Sequence, residues 1–128
     1  MEARRARHWL NRIERDLRDG DLPGVCETLG IGCDLHSADP PATERAVLPR
    51  STRTPVSACR YAVARWSVGD TCLRRCLVIG HRLRHLGPVL RIGVRRDGPE
   101  IIAHSWLEIA GRTLDPESAR YAPLGTVS

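Results

Sequence analysis

Asp70-Thr71-Cys72-Leu73-Arg74-Arg75-Cys76-Leu77-Val78-Ile79-Gly80 is the stretch from which the fold of this chain can be read. Asp70 or Thr71 is a good N-cap, and Leu73, Cys76, Leu77, Gly80 and Leu83 recur at helical spacing to make one apolar face. Gly87-Pro88 stops that helix. Directly beyond it the hydrophobic period changes from helix to strand. Residues 89–94 read as a strand, residues 95–99 as a turn centred on Asp97-Gly98, and residues 101–109 as a longer strand. Ala110-Gly111 closes a tight hairpin onto residues 112–115.

Upstream of the stretch the pattern is helical. Trp9, Leu10, Ile13 and Leu17 mark a helix over residues 3–19 that Gly20 ends. Residues 22–35 hold a short helix followed by Gly30 and Gly32. Residues 36–55 carry four prolines and read as a loop with one helical turn over residues 43–48. Thr54 caps a further helix, Pro55 suits its first turn, Val56, Cys59, Val63 and Trp66 form its buried face, and Gly69 ends it. Helices first and an antiparallel meander after them argue an α+β fold. Residues 1–54 read as a helical segment and loop, residues 55–128 as the core, and the two as one compact unit.

The chain has 128 residues and a net charge of +5, and all 20 of its basic residues are arginine. One domain of this size buries roughly two-thirds of its unfolded surface. A positive surface favours an acidic partner, peptide or nucleic acid. An aromatic content of 4 % with no phenylalanine speaks against single-stranded nucleic acid, which stacks on aromatic platforms. No apolar run approaches the roughly 20 residues of a membrane span. The arginine-rich start is unlike a signal peptide. Five cysteines in no regular framework read as reduced thiols, which points to a cytoplasmic protein.

Three residues stand in contexts that suit a catalytic group. Cys72 lies at a helix start, where unpaired N–H groups and the dipole favour a thiolate and can line an oxyanion hole. His104 lies in a strand and suits a general base that later protonates a leaving amine. Asp115 follows the hairpin and suits the group that orients the imidazole. With Ala110 and Gly111 as the loop, Ile109 faces Arg112, Asp115 faces Trp106, and Glu117 faces His104. His104 and Asp115 are then diagonal neighbours on one face, with backbones roughly 7–8 Å apart, and Glu117 is the fallback orienter. Cys72, Cys76, His81 and His85 have metal-like spacing. On one helix, however, the cysteines and histidines fall on opposite sides and cannot enclose one tetrahedral ion. Cys26 and Cys33 read as buried or incidental thiols. Gly30-Ile31-Gly32 lacks the further glycine and preceding strand of a dinucleotide loop, and there is no Gly-x-Ser-x-Gly elbow. No metal or cofactor is expected.

On these residues the chain resembles the lasso-peptide biosynthesis B2 proteins. These are transglutaminase-like leader peptidases related to the C-terminal part of the microcin J25 processing protein. The matching elements are Cys72-Leu73-Arg74-Arg75, Leu83-Arg84-His85-Leu86-Gly87, Leu90-Arg91-Ile92-Gly93-Val94-Arg95 and Ala103-His104-Ser105-Trp106-Leu107-Glu108. Gly111-Arg112, Asp115 and Tyr121-Ala122-Pro123-Leu124 follow them, so the likeness covers about residues 55–124. It departs at Cys76, where a small apolar residue is more usual, and at His-Ser-Trp-Leu in place of His-Ala-Trp-Val.

The resemblance implies a papain/transglutaminase-like fold and a cysteine protease that removes the leader from a ribosomally made precursor. By match, Cys72 is the nucleophile, His104 the base and Asp115 the third member. It implies as partners the precursor peptide, a separate leader-recognition protein and an asparagine-synthetase-like macrolactam cyclase. Three other readings remain open. An acyl transferase passes the same thioester to an amine instead of water. A non-catalytic scaffold grips an acidic leader and is indifferent to Cys72→Ala. A nucleic-acid binder shows steep salt dependence.

Overall fold

The computed structural model describes residues 1–66 and 71–126. Helix α1 (Glu2–Asp19) buries Ala6, Leu10 and Ile13 on one side and turns its arginines outward. Helix α2 (Leu22–Leu29) starts where the Asp21 carboxylate accepts the Gly24 N–H at 2.9 Å, and it ends on the left-handed Gly30. That turn feeds β1 (Gly32–Asp34), which pairs in parallel with β2 (Val89–Asp97), Gly32 opposite Val89. A strand of three residues is too short to show a period, and the sequence reading places no strand there.

Residues 43–48 form no helical turn. Arg45 instead bridges Thr113: the Thr113 N–H donates to Glu44 O and the Ala46 N–H to Thr113 O, both at 2.8 Å. The segment is held by backbone bonds to a strand far along the chain, which leave no side-chain pattern. A 3₁₀ turn (Arg50–Thr52) leads directly into α3 (Arg53–Ala64). Thr54 therefore lies inside the helix rather than capping it. Thr52 holds the cap position, with its hydroxyl donating back to Pro49 O at 2.6 Å. Gly69 and Asp70, read as a stop and a possible cap, lie outside the described residues.

Helix α4 (Cys72–Arg82) begins on Thr71, whose hydroxyl accepts the Arg74 N–H at 3.2 Å. Its buried Leu77, Val78 and Ile79 join Leu10 and Ile13 of α1, Leu29 of α2, Val63 of α3 and Leu90 of β2 in one core. Two ion pairs fix α4 against α1. Arg74 grips Glu14 near one end, and Arg82 donates to Glu2 at 3.0 Å at the other. Both pairs are half-buried, and the guanidinium beside each carboxyl holds it below the usual range.

The sheet runs β1-β2-β3-β4, with β3 (Glu100–Ile109) and β4 (Arg112–Thr113), and β5 (Ala122–Pro123) pairs with β2 beyond β1. It is antiparallel except for β1, so the expected antiparallel sheet is a small mixed one. The β2–β3 turn is Gly98-Pro99, with Asp97 and Glu100 already paired, one residue later than the sequence reading. At the second hairpin Ala110 and Gly111 take positive φ of 52° and 74°, as a two-residue turn of the primed type requires. Ile109 faces Arg112, as the sequence reading has it.

Candidate active site

A cleft of about 460 Å³ opens between the start of α4 and β3, and Cys72, Cys76, His104, Ser105 and Asp115 are among its lining residues. Cys72 is the first residue of α4. In that turn Thr71 already takes the Arg74 N–H on its hydroxyl and the Arg75 N–H on its carbonyl. Among the described residues, the N–H groups of Cys72 and Leu73 are left at the positive end of the helix. Across the cleft the backbone N–H of Ser105 donates to Cys72 Sγ at 3.4 Å. The sulfur thus accepts a backbone donor beside the positive end of a helix.

His104 is the neighbour of Ser105 on β3. Its Nε2 meets Asp115 Oδ2 at 2.6 Å, and because a carboxylate only accepts, Nε2 carries the hydrogen. Nδ1 is then the ring nitrogen left to exchange a proton. Asp115 is held from several sides. Its N–H donates to Thr113 Oγ1 at 2.9 Å, its Oδ1 accepts the Glu117 N–H at 3.1 Å, and its carbonyl accepts the hydroxyls of Thr113 and Ser118. Both Thr113 and Ser118 are fully buried.

The β3–β4 ladder ends at Thr113, with one further bond from the Leu114 N–H to Leu107 O. Asp115 then caps a 3₁₀ turn (Pro116–Arg120) that curls it back to His104. The carboxylate thus reaches the imidazole by a cap, not by the extended register read from the sequence. Glu117 is not opposite His104: it pairs with Arg120 at 3.4 Å in an exposed position.

Two aromatic rings frame the imidazole. Tyr121 stacks on it at 4.7 Å between centroids, and the buried Trp106 lies nearly parallel at 6.2 Å. Gly93 stands opposite His104 on β2. A Cβ there would fall 2.7 Å from Ala122 O and 2.9 Å from Tyr121 Cβ, so only glycine lets Tyr121 cross to the ring. Behind Trp106, Glu108 Oε2 accepts the indole N–H at 2.9 Å, the Ala42 N–H at 3.0 Å and the Arg91 guanidinium at 3.3 Å. Arg91 is itself buried and also donates to the carbonyls of Asp39 and Pro40. Sequence reading does not assign a role to Arg91, Glu108 or Tyr121. Their signal lay in the quoted motifs, where a buried Arg–Glu pair shared between two neighbouring strands has no local signature.

The other thiols have no such setting. Burial pushes Cys76 up to about 12 and Cys59 up to about 11. Burial, with the neighbouring Cys33, pushes Cys26 up to about 12. Cys26 and Cys33 are therefore neighbours in space. Cys76 shares the cleft with Cys72, yet it is held as a neutral thiol. His81 lies on the opposite side of α4, against Trp9 at 3.8 Å between rings, with its Nδ1 2.9 Å from Leu29 O. It lines a separate cavity of about 290 Å³, so Cys72 and Cys76 do not converge with His81. No helix among the described residues is long and apolar enough to cross a membrane.

A family model described as the transglutaminase-like superfamily matches residues 27–126. No curated protein and no solved structure matches the chain.

Proposed function

Because the chain belongs to the transglutaminase-like superfamily, we propose that it is a cysteine peptidase that uses Cys72, His104 and Asp115 to remove a leader peptide from a ribosomally made precursor. The observation that carries the reading is the 2.6 Å His104–Asp115 bond at the cleft that also holds Cys72 at the head of α4. In the first half-reaction Cys72 Sγ attacks the scissile carbonyl carbon and its proton passes to His104 Nδ1. The oxyanion sits against the Cys72 N–H at the helix start. His104 then returns the proton to the leaving nitrogen, the C–N bond breaks, and a thioester remains. Water, deprotonated by His104, attacks that thioester and leaves a carboxylic acid and the free thiol. Asp115 keeps the Nε2 hydrogen in place throughout.

The resemblance to the lasso-peptide B2 proteins supports the precursor leader as substrate. It also supports, as partners, a separate leader-recognition protein and an asparagine-synthetase-like cyclase that consumes the freed amine. The reading of the five cysteines as reduced thiols supports a cytoplasmic site of action. The test is brief alkylation at about pH 6, where an unassisted thiol is largely protonated, with every cysteine quantified by mass spectrometry. Cys72 is expected to react at least tenfold faster than Cys33 and to slow to its level in His104→Ala. Equal reactivity in both proteins would falsify the assignment. With precursor and partners added, two fragments whose masses sum to the precursor plus one water identify hydrolysis, and a fragment joined to an amine identifies acyl transfer.

A further inference from the structure

The outer edge of β3 beside the cleft has no strand on it among the described residues. The Ser105 N–H points away from β2, since it donates to Cys72 Sγ. Leu107 O points the same way, since it accepts from Leu114. Backbone direction alternates along a strand, so the N–H and C=O groups of Ala103 and Ile101 belong to the same outward row. β4 and the following Leu114 cover this edge only from Leu107 to Ile109. Ala103 is exposed, and Ile101 is 69 % exposed, among the most exposed large apolar residues of the chain. Proteins ordinarily blunt a free edge with charge, proline or a covering element. Here an open, apolar-flanked edge starts one residue pair from the sulfur.

We propose that this edge is the peptide-binding subsite of the cleft: the substrate lies along β3 as an added strand and bonds to the backbone of Ala103 and Ile101. The proposal rests on the peptidase reading and names what positions its substrate. The occupant follows from continuity with the site. A peptide whose carbonyl carbon is at Cys72 Sγ meets the Ser105 position, and its next residues fall beside Ala103 and Ile101, at about 3.3 Å per residue. Main-chain bonds give affinity for any extended sequence, and the exposed Ile101 side chain adds an apolar contact.

The probes are iodoacetamide, acetyl-tetraalanyl chloromethyl ketone, and the same ketone with its backbone amides N-methylated. The rate of Cys72 labelling is read by mass spectrometry. Ile101→Pro removes one outward N–H and leaves the β2–β3 ladder intact, as a proline on a strand edge can. Ile101→Ala keeps the N–H and separates the side chain from the backbone, and circular dichroism confirms that both variants fold. The ketone is expected to label Cys72 roughly tenfold or more faster than its N-methylated form, the effect of one or two hydrogen bonds. Ile101→Pro should abolish most of that advantage, Ile101→Ala should retain most of it, and iodoacetamide rates should not change. Equal rates for the two ketones, or an advantage that survives Ile101→Pro, overturns the edge proposal alone. A dimer in sedimentation that Ile101→Pro dissolves overturns it too, since a second copy then holds the edge. If Cys72 resists iodoacetamide no less than Cys33, the peptidase reading itself fails and the edge proposal with it.

Discussion

The two ends of α4 carry chemically reactive residues, a cysteine and a histidine, to opposite fates. At the N-terminus Cys72 accepts a backbone N–H and lines a cleft that His104 also lines. Near the C-terminus His81 is packed under Trp9 and anchored on Leu29 O. Both are reactive side chains on one helix, ten residues or less apart. What separates them is the neighbour: a strand edge and an imidazole in one case, an indole and a carbonyl in the other. Residue type alone does not make a site, and the fold decides which group meets a partner that can use it.

The strongest way to break the contrast is to remove the partner. His104→Ala should reduce turnover by roughly 10³-fold, about 4 kcal/mol of transition-state stabilisation, while thermal unfolding stays near that of the parent. Cys76→Ser should leave turnover within about twofold, because that thiol is held neutral by burial. An equal loss in the two variants would erase the distinction between the cleft thiols.

Support behind the imidazole comes next. Arg91→Ala leaves Glu108 largely buried without its cation, and should cost about 3 kcal/mol in denaturant unfolding. Gly93→Ala should cost about 1–3 kcal/mol by overpacking. It should also lower turnover, because Tyr121 must leave His104 to make room. Unchanged tyrosine fluorescence and unchanged turnover would show that the stacked ring does not position the base.

The smallest effect sharpens the other end. Burial, joined by Arg84, Arg12 and Arg82, depresses His81 below its ordinary value of 6.5. A depressed group favours the neutral form in the fold. Its contribution is therefore fully present above about pH 6.5 and is lost as pH falls below it. Melting temperature should drop from pH 7.5 to pH 5 by a few degrees more in the parent than in His81→Gln.

Much of this was legible in the sequence, and the gaps have physical causes. Helices α1, α3 and α4 declared themselves because each buries one stripe, and a stripe repeats every turn. The Ala110-Gly111 hairpin was legible because its two residues had to close a gap between alternating strands. The parallel strand β1 and the tie between Arg45 and Thr113 were not. Both are backbone pairings across long sequence distances, and they need no side-chain pattern. His104 and Asp115 could be paired from register arithmetic, but the route was different. Thr113 and Ser118 draw the chain into a cap, which extended-strand geometry does not contain. The Arg91–Glu108 pair was invisible because each member alone looks like an ordinary surface charge.

The contacts that build the site differ in how far along the chain they reach. His104 and Asp115 are 11 residues apart and joined by a two-residue turn, whereas the bonds that seat α4 on α1 span 60 and 80 residues. Short loops close early and long ones late, since the entropy of closure grows with length. By closure entropy alone, His104 and Asp115 are expected to meet before the helix that carries the sulfur is locked against the first helix. On the proposed peptidase reading, an incompletely folded chain would hold the imidazole with an unpositioned thiol, and reactivity toward peptides would be a property of the finished molecule.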